Sequence, residues 1–85
     1  MKQQININVS VPEEILLSLR EETDEFAVQM KRWSALKFYE NRKLSIGQAA
    51  GLADMYEDEF IRFLSKNKIS IFGTTADIMG DYQNA

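Results

Sequence analysis

Residues 43–64, KLSIGQAAGLADMYEDEFIRFL, constrain this chain more than any other stretch. Apolar residues at Ala49, Ala50, Ala53, Met55, Phe60 and Phe63 have the spacing of two short helices that cross at a tight turn. Such a corner needs a small residue in its first helix where the second passes close by, and Ala50 supplies it. The turn falls at Asp54, and Asp is among the few non-glycine residues that tolerate a left-handed backbone. Ser45, followed three residues on by Gln48, forms a capping-box pattern that opens the first helix at Ile46. Helices are expected over residues 46–53 and 57–66, with Asn67 closing the second. A helix-turn-helix of this kind is a common way to place a helix in the DNA major groove, and equally a plain structural corner.

The chain ahead of this corner reads differently. Ile5, Ile7, Val9 and Val11 alternate with Asn6, Asn8 and Ser10. Period two with β-branched residues predicts a half-buried strand. Pro12 stops it and suits the first turn of a helix, where Glu13 and Glu14 complement the helix dipole. Ile15, Leu16 and Leu19 give that helix its apolar face. Thr23 and Asp24 are good caps for a longer helix over residues 25–41. Its apolar residues occupy two faces: Phe26, Met30 and Trp33 on one, Val28, Ala35 and Tyr39 roughly opposite. A helix apolar on two sides is buried on two sides, and in 85 residues the second partner is naturally another subunit. Ile69, Ile71 and Phe72 suggest a short strand or extended segment. Gly73, Thr74 and Thr75 make a turn, and residues 76–85 are a weak helix or a tail.

Strand, helix, helix is the order of the ribbon-helix-helix fold, in which two chains pair their strands and the ribbon enters the major groove. The expected architecture is therefore mostly α with an N-terminal β-strand. A ribbon-helix-helix-like dimerisation segment covers residues 1–43, a helix-turn-helix-like unit covers 44–68, and a strand or tail covers 69–85, all within one compact domain. The strand's partner is either its counterpart in a second chain or residues 69–72 of its own.

Composition removes several functions. The chain has no cysteine and no histidine, which excludes disulfides, zinc fingers and imidazole catalysis. Glu57, Asp58 and Glu59 are consecutive and so diverge on a helix. No glycine-rich phosphate loop is present, and no base stands ready for a serine nucleophile. An enzyme, a cofactor or a metal site is not expected. Nothing resembles an export signal or a membrane span, so a cytoplasmic protein is expected.

The net charge of −3 argues against a strongly basic nucleic-acid binder, but it conceals blocks. Residues 13–25 carry six acids against Arg20; residues 31–43 carry five bases against Glu40; residues 54–59 carry four acids and no base. Acids at the start of the second corner helix would face phosphate oxygens and repel them. They equally suit the helix dipole. The basic block, with Trp33, Phe38 and Tyr39 interleaved, has the composition of a nucleic-acid surface. It also fits a solvated face, or an intersubunit partner for the acidic block. On the strand, Gln4, Asn6, Asn8 and Ser10 are the side chains that would read base edges, as Asn and Gln do with adenine. Any half-exposed strand shows the same residues. Ile5, Ile7, Val9, Val11, Phe26, Met30 and Trp33 are the expected dimer interface.

The run Ala35-Leu36-Lys37-Phe38-Tyr39-Glu40, then Lys43 to Ala50, then Glu59, Phe60 and Leu64, resembles an uncharacterised family of small prokaryotic proteins. The front end, INVSVPEEILLSL, resembles that family and also ribbon-helix-helix antitoxins. The resemblance spans residues 5–72. It implies an antitoxin, encoded beside a PIN-like nuclease toxin, that binds and blocks the toxin and represses its own operon. Asp54 stands where the family commonly has Gly, Tyr56 where it often has Ser, and Glu57 and Asp58 replace a more neutral or basic pair. These departures weaken DNA binding by the corner and leave toxin binding untouched. The C-terminal segment is the expected toxin-binding element, through Ile71, Phe72, Asp77, Ile78 and Asp81. The competing expectations are a stand-alone DNA-binding regulator and an assembly adaptor that binds no DNA.

Overall fold

A computed structural model of the chain describes residues 3–71. Four helices follow an irregular N-terminal arm: α1 Glu13–Leu19, α2 Thr23–Glu40, α3 Ile46–Leu52 and α4 Glu57–Lys66. Each start has a local cause. Pro12, at φ −59°, leads into α1, whose first turn carries Glu13 and Glu14. The Glu25 carboxylate accepts the Glu22 N–H at 2.8 Å at the start of α2. Ser45 Oγ accepts the Gln48 N–H at 3.1 Å, and Gln48 Oε1 accepts the Ser45 N–H at 2.9 Å, completing the capping box of α3.

All four helices also stop in the same way. A backbone N–H beyond the helix bonds a carbonyl five residues back: Glu21 to Leu16 at 3.1 Å, Lys43 to Phe38 at 2.8 Å, Met55 to Ala50 at 3.0 Å, and Ile69 to Leu64 at 2.9 Å. That bond requires a left-handed residue just before the donor. Arg20, Arg42, Asp54 and Lys68 take that position, with φ of 57°, 60°, 57° and 62°. Glycine would adopt this conformation without strain, and none of the four is glycine.

The core lies in the second half of the described chain. Ala35, Leu36 and Tyr39 of α2 meet Ala49, Ala50 and Ala53 at α3, and Phe60 and Leu64 of α4. The three alanines keep α3 thin, so α2 and α4 pack on it from two sides. Phe60 stands edge-on to Tyr39, with ring centroids 6.3 Å apart. Full burial of Phe60 and Leu64 is worth roughly 1.5–3 kcal/mol each. Leu44, Ile46, Leu52, Met55, Phe63, Ile69 and Ile71 close the rim. Lys31 of α2 is ion-paired with Asp54, which ties the α3–α4 turn to the middle of the long helix.

Two expectations need correction. The N-terminal β-strand is absent, and with it the ribbon: among the described residues there is no strand, and residues 3–11 have no regular secondary structure. Alternation of Ile5, Ile7, Val9 and Val11 records a preference for extended backbone, but a strand also needs an edge to pair with. Residues 69–71, the other extended candidate, pack on the helical core and form no ladder. Second, α2 begins two residues earlier than expected, because Glu22 rather than Thr23 or Asp24 occupies the cap position. The remaining helix ends agree with expectation to within a residue.

Candidate protein-binding surface

Burial divides the chain in two. Every buried residue lies at or after Ala35. Before that point the large apolar side chains are largely in solvent: Ile5 is 84% exposed, Ile7 79% and Leu17 70%, with Val9, Ile15, Leu19, Val28, Met30 and Trp33 also exposed. Helix α1 buries none of its residues. Scattered apolar residues on a surface are normal, but a concentration of them marks an interaction site.

The arm and α2 enclose an open trough of about 620 Å³. Its walls bring together most of the residues expected at the interface: Ile5, Ile7, Val9 and Val11 from the arm, and Phe26 and Met30 from α2. Trp33 stands outside it. Its ring packs at 5.3 Å from that of Phe63 on α4 and is still half exposed. The two-faced character of α2 is therefore real: Ala35 and Tyr39 are buried on the α3–α4 side, whereas Phe26 and Met30 line the trough. Val28, on the core side by spacing, is nonetheless exposed.

Gln4, Asn6, Asn8 and Ser10 are all exposed, but no ribbon presents them. Of the five residues expected to bind a toxin, Ile71 is half-buried at the rim of the core. Phe72, Asp77, Ile78 and Asp81 lie outside the described residues.

The α3–α4 corner has the expected geometry, with Asp54 in the left-handed conformation at its turn. Gly47 lies close to the start of α4: a Cβ there would sit 3.0 Å from Glu57 Oε2. Two of the three acids opening α4 have structural uses. The Glu59 carboxylate accepts the Tyr56 N–H at 3.0 Å, and Asp58 pairs with Arg62 at 3.5 Å. Tyr56 offers no side-chain cap and is 79% exposed. An α-helix whose first turn is acidic is poorly suited to a phosphate backbone.

Sequence reasoning missed Leu17 as an exposed residue and the Lys31–Asp54 pair. An apolar count on α1 could have found the first, since Ile15, Leu16, Leu17 and Leu19 cover more than one face of a seven-residue helix. No local signal marks a pair 23 residues apart.

Among the described residues, no group of three potential ligands is placed to hold a metal, and no helix is long and apolar enough to cross a membrane. No curated protein and no solved structure matches the chain. A family model does, over residues 1–85, and the chain belongs to the uncharacterised protein family UPF0175.

Proposed function

We propose that this protein acts by binding another protein, as the antitoxin of a toxin–antitoxin pair whose toxin is a PIN-like nuclease. The observation that carries the binding role is the unburied apolar surface of the arm and α1, with Ile5, Ile7, Leu17 and Leu19 in solvent. The resemblance of residues 5–72 to the uncharacterised family, and of the front end to ribbon-helix-helix antitoxins, supplies the kind of partner. Each of these aliphatic side chains forgoes most of the roughly 1.5–3 kcal/mol that full burial would give. A nuclease surface that covers them recovers it. The protein performs no catalysis in this role; it occludes.

Co-expression with the nuclease encoded beside it tests this reading. Growth is expected to be restored, and the two chains should purify together. Replacing Ile5 and Leu17 by Asp should abolish both effects while far-UV circular dichroism stays unchanged. Rescue and co-purification that survive both substitutions would reject this surface, and failure of the unaltered chain to rescue would reject the antitoxin role.

The geometry of the α3–α4 corner favours a second activity, repression of the operon by DNA binding. Its acidic first turn opposes this. A specific complex must weaken steeply as salt rises. Binding to the promoter that lacks such a slope would exclude the corner as a DNA reader.

A further inference from the structure

One face of α2, which passes from the trough at Phe26 and Met30 to Trp33 beside it, carries a stripe that is symmetric about its own midpoint. Glu22, Phe26, Met30, Trp33 and Lys37 follow one another at steps of four, four, three and four, the spacing of one helical face. Reversing the helix about the point between Gln29 and Met30 sets Glu22 opposite Lys37 and Phe26 opposite Trp33. An acid at one end, a base at the other and apolar residues between is the pattern that two antiparallel copies of one helix need. We propose that a second copy of this chain covers this face, with the two α2 helices antiparallel and crossing beside Met30.

The burial of the stripe agrees with this. Met30 is 37% exposed and Trp33 49%, although they lie mid-helix in the longest element. Glu22 is exposed, and the Lys37 side chain is 67% exposed, held only by an i,i+3 contact to Glu40 that costs little to exchange. Glu22 forms no ion pair among the described residues. Lys37 pairs with Glu40 and Lys31 with Asp54, neither of them in the acidic block of residues 13–25. In the antiparallel pair Glu22 of each chain lies beside Lys37 of the other. The interface is isologous, so each contact occurs twice. This dimer stands whether or not a nuclease toxin exists, and it leaves Leu17, outside the trough, available to a different partner.

Sedimentation equilibrium on the full chain tests the proposal. The unaltered protein should be a dimer, and Met30→Asp a monomer with unchanged helix content. Glu22→Lys places Lys against Lys at both ends, and Lys37→Glu places acid against acid. Each should weaken self-association roughly ten- to thirtyfold, as expected for two surface pairs turned from attraction to repulsion. Mixed together, the two charge variants should form a one-to-one heterodimer of near-native affinity, since every end then meets its opposite. Lys37→Glu, exposed and away from either helix cap, keeps the charge test valid where Met30→Asp or Glu22→Lys, at the cap of α2, lowers helix content. A monomeric unaltered chain would overturn the proposal. So would charge variants that dimerise as well alone as they do together.

Discussion

Replacing the residues that end the helices by glycine should raise stability at some positions and not at another. Lys68 and Arg20 hold φ of 62° and 57° with no ion pair among the described residues. A left-handed backbone costs a residue with a Cβ about 1–2 kcal/mol, which glycine escapes. Glycine returns about 0.4–1 kcal/mol of that through the extra freedom of its unfolded chain. Lys68→Gly and Arg20→Gly should therefore each gain about 0.5–1 kcal/mol. Asp54 holds the same conformation, but its carboxylate binds Lys31. Both partners are partly exposed, so that pair is worth about 0.2–1 kcal/mol. Asp54→Gly should accordingly be close to neutral, and in a Lys31→Met background it should become stabilising, though by less than Lys68→Gly because Asp is already tolerated in the left-handed region. Urea unfolding followed by the fluorescence of Trp33, the sole tryptophan, measures these differences. Protein concentration must be held fixed, because a dimer's apparent stability depends on it. For a domain of this size, 1 kcal/mol moves the melting temperature by about 4–8 °C, well within measurement. Equal gains at Asp54 and Lys68 in the unaltered background would refute the account, since Lys31 would then contribute nothing.

Phe60→Ala should cost about 3–5 kcal/mol and leave the α2–α3–α4 unit largely unfolded by thermal melt, because Phe60 is fully buried among a core otherwise rich in alanine. Tyr56→Ser should gain about 1 kcal/mol in urea titration, by supplying the side-chain cap that α4 lacks. In hydrogen exchange, amides of α3, α4 and the C-terminal half of α2 should be the slowest, and those of α1 fast in a Met30→Asp monomer. Slow exchange across α1 in that monomer would contradict its lack of burial.

What the sequence made legible was local. Ser45 and Gln48 announce a helix start because both partners of the capping box lie within three residues. Asp54 could be read as a turn because Asp is enriched in the left-handed region, and α4 was placed at its observed limits because Lys66 is followed by Asn67. Arg20, Arg42 and Lys68 gave no such sign: neither Arg nor Lys favours a left-handed backbone, and what holds them there is the hydrogen bond that closes each helix. The strand failed for a related reason. Alternation of Ile5, Ile7, Val9 and Val11 is a property of one segment, whereas a ladder belongs to two. The two-faced pattern of α2 fared differently, since it needs no distant partner to be seen. It separated Phe26 and Met30 from Ala35 and Tyr39, as the structure does.

The two halves of the chain differ in how their apolar content is spent. After residue 34, alanines and two aromatic rings are arranged so that three helices exclude water from one another. Before it, the residues are larger and more hydrophobic, yet α1 has seven residues and the arm has no helix, so neither spans enough surface to cover the other. An isolated helix of seven residues is unstable in water, since helices shorter than about 12–15 residues are marginal. The arm and α1 thus hold their apolar side chains at a distance from the one core that could bury them. A chain organised this way gains more from association than from further folding. That explains why the large aliphatic side chains of the arm and α1 stay in solvent while the alanines of α3 are buried.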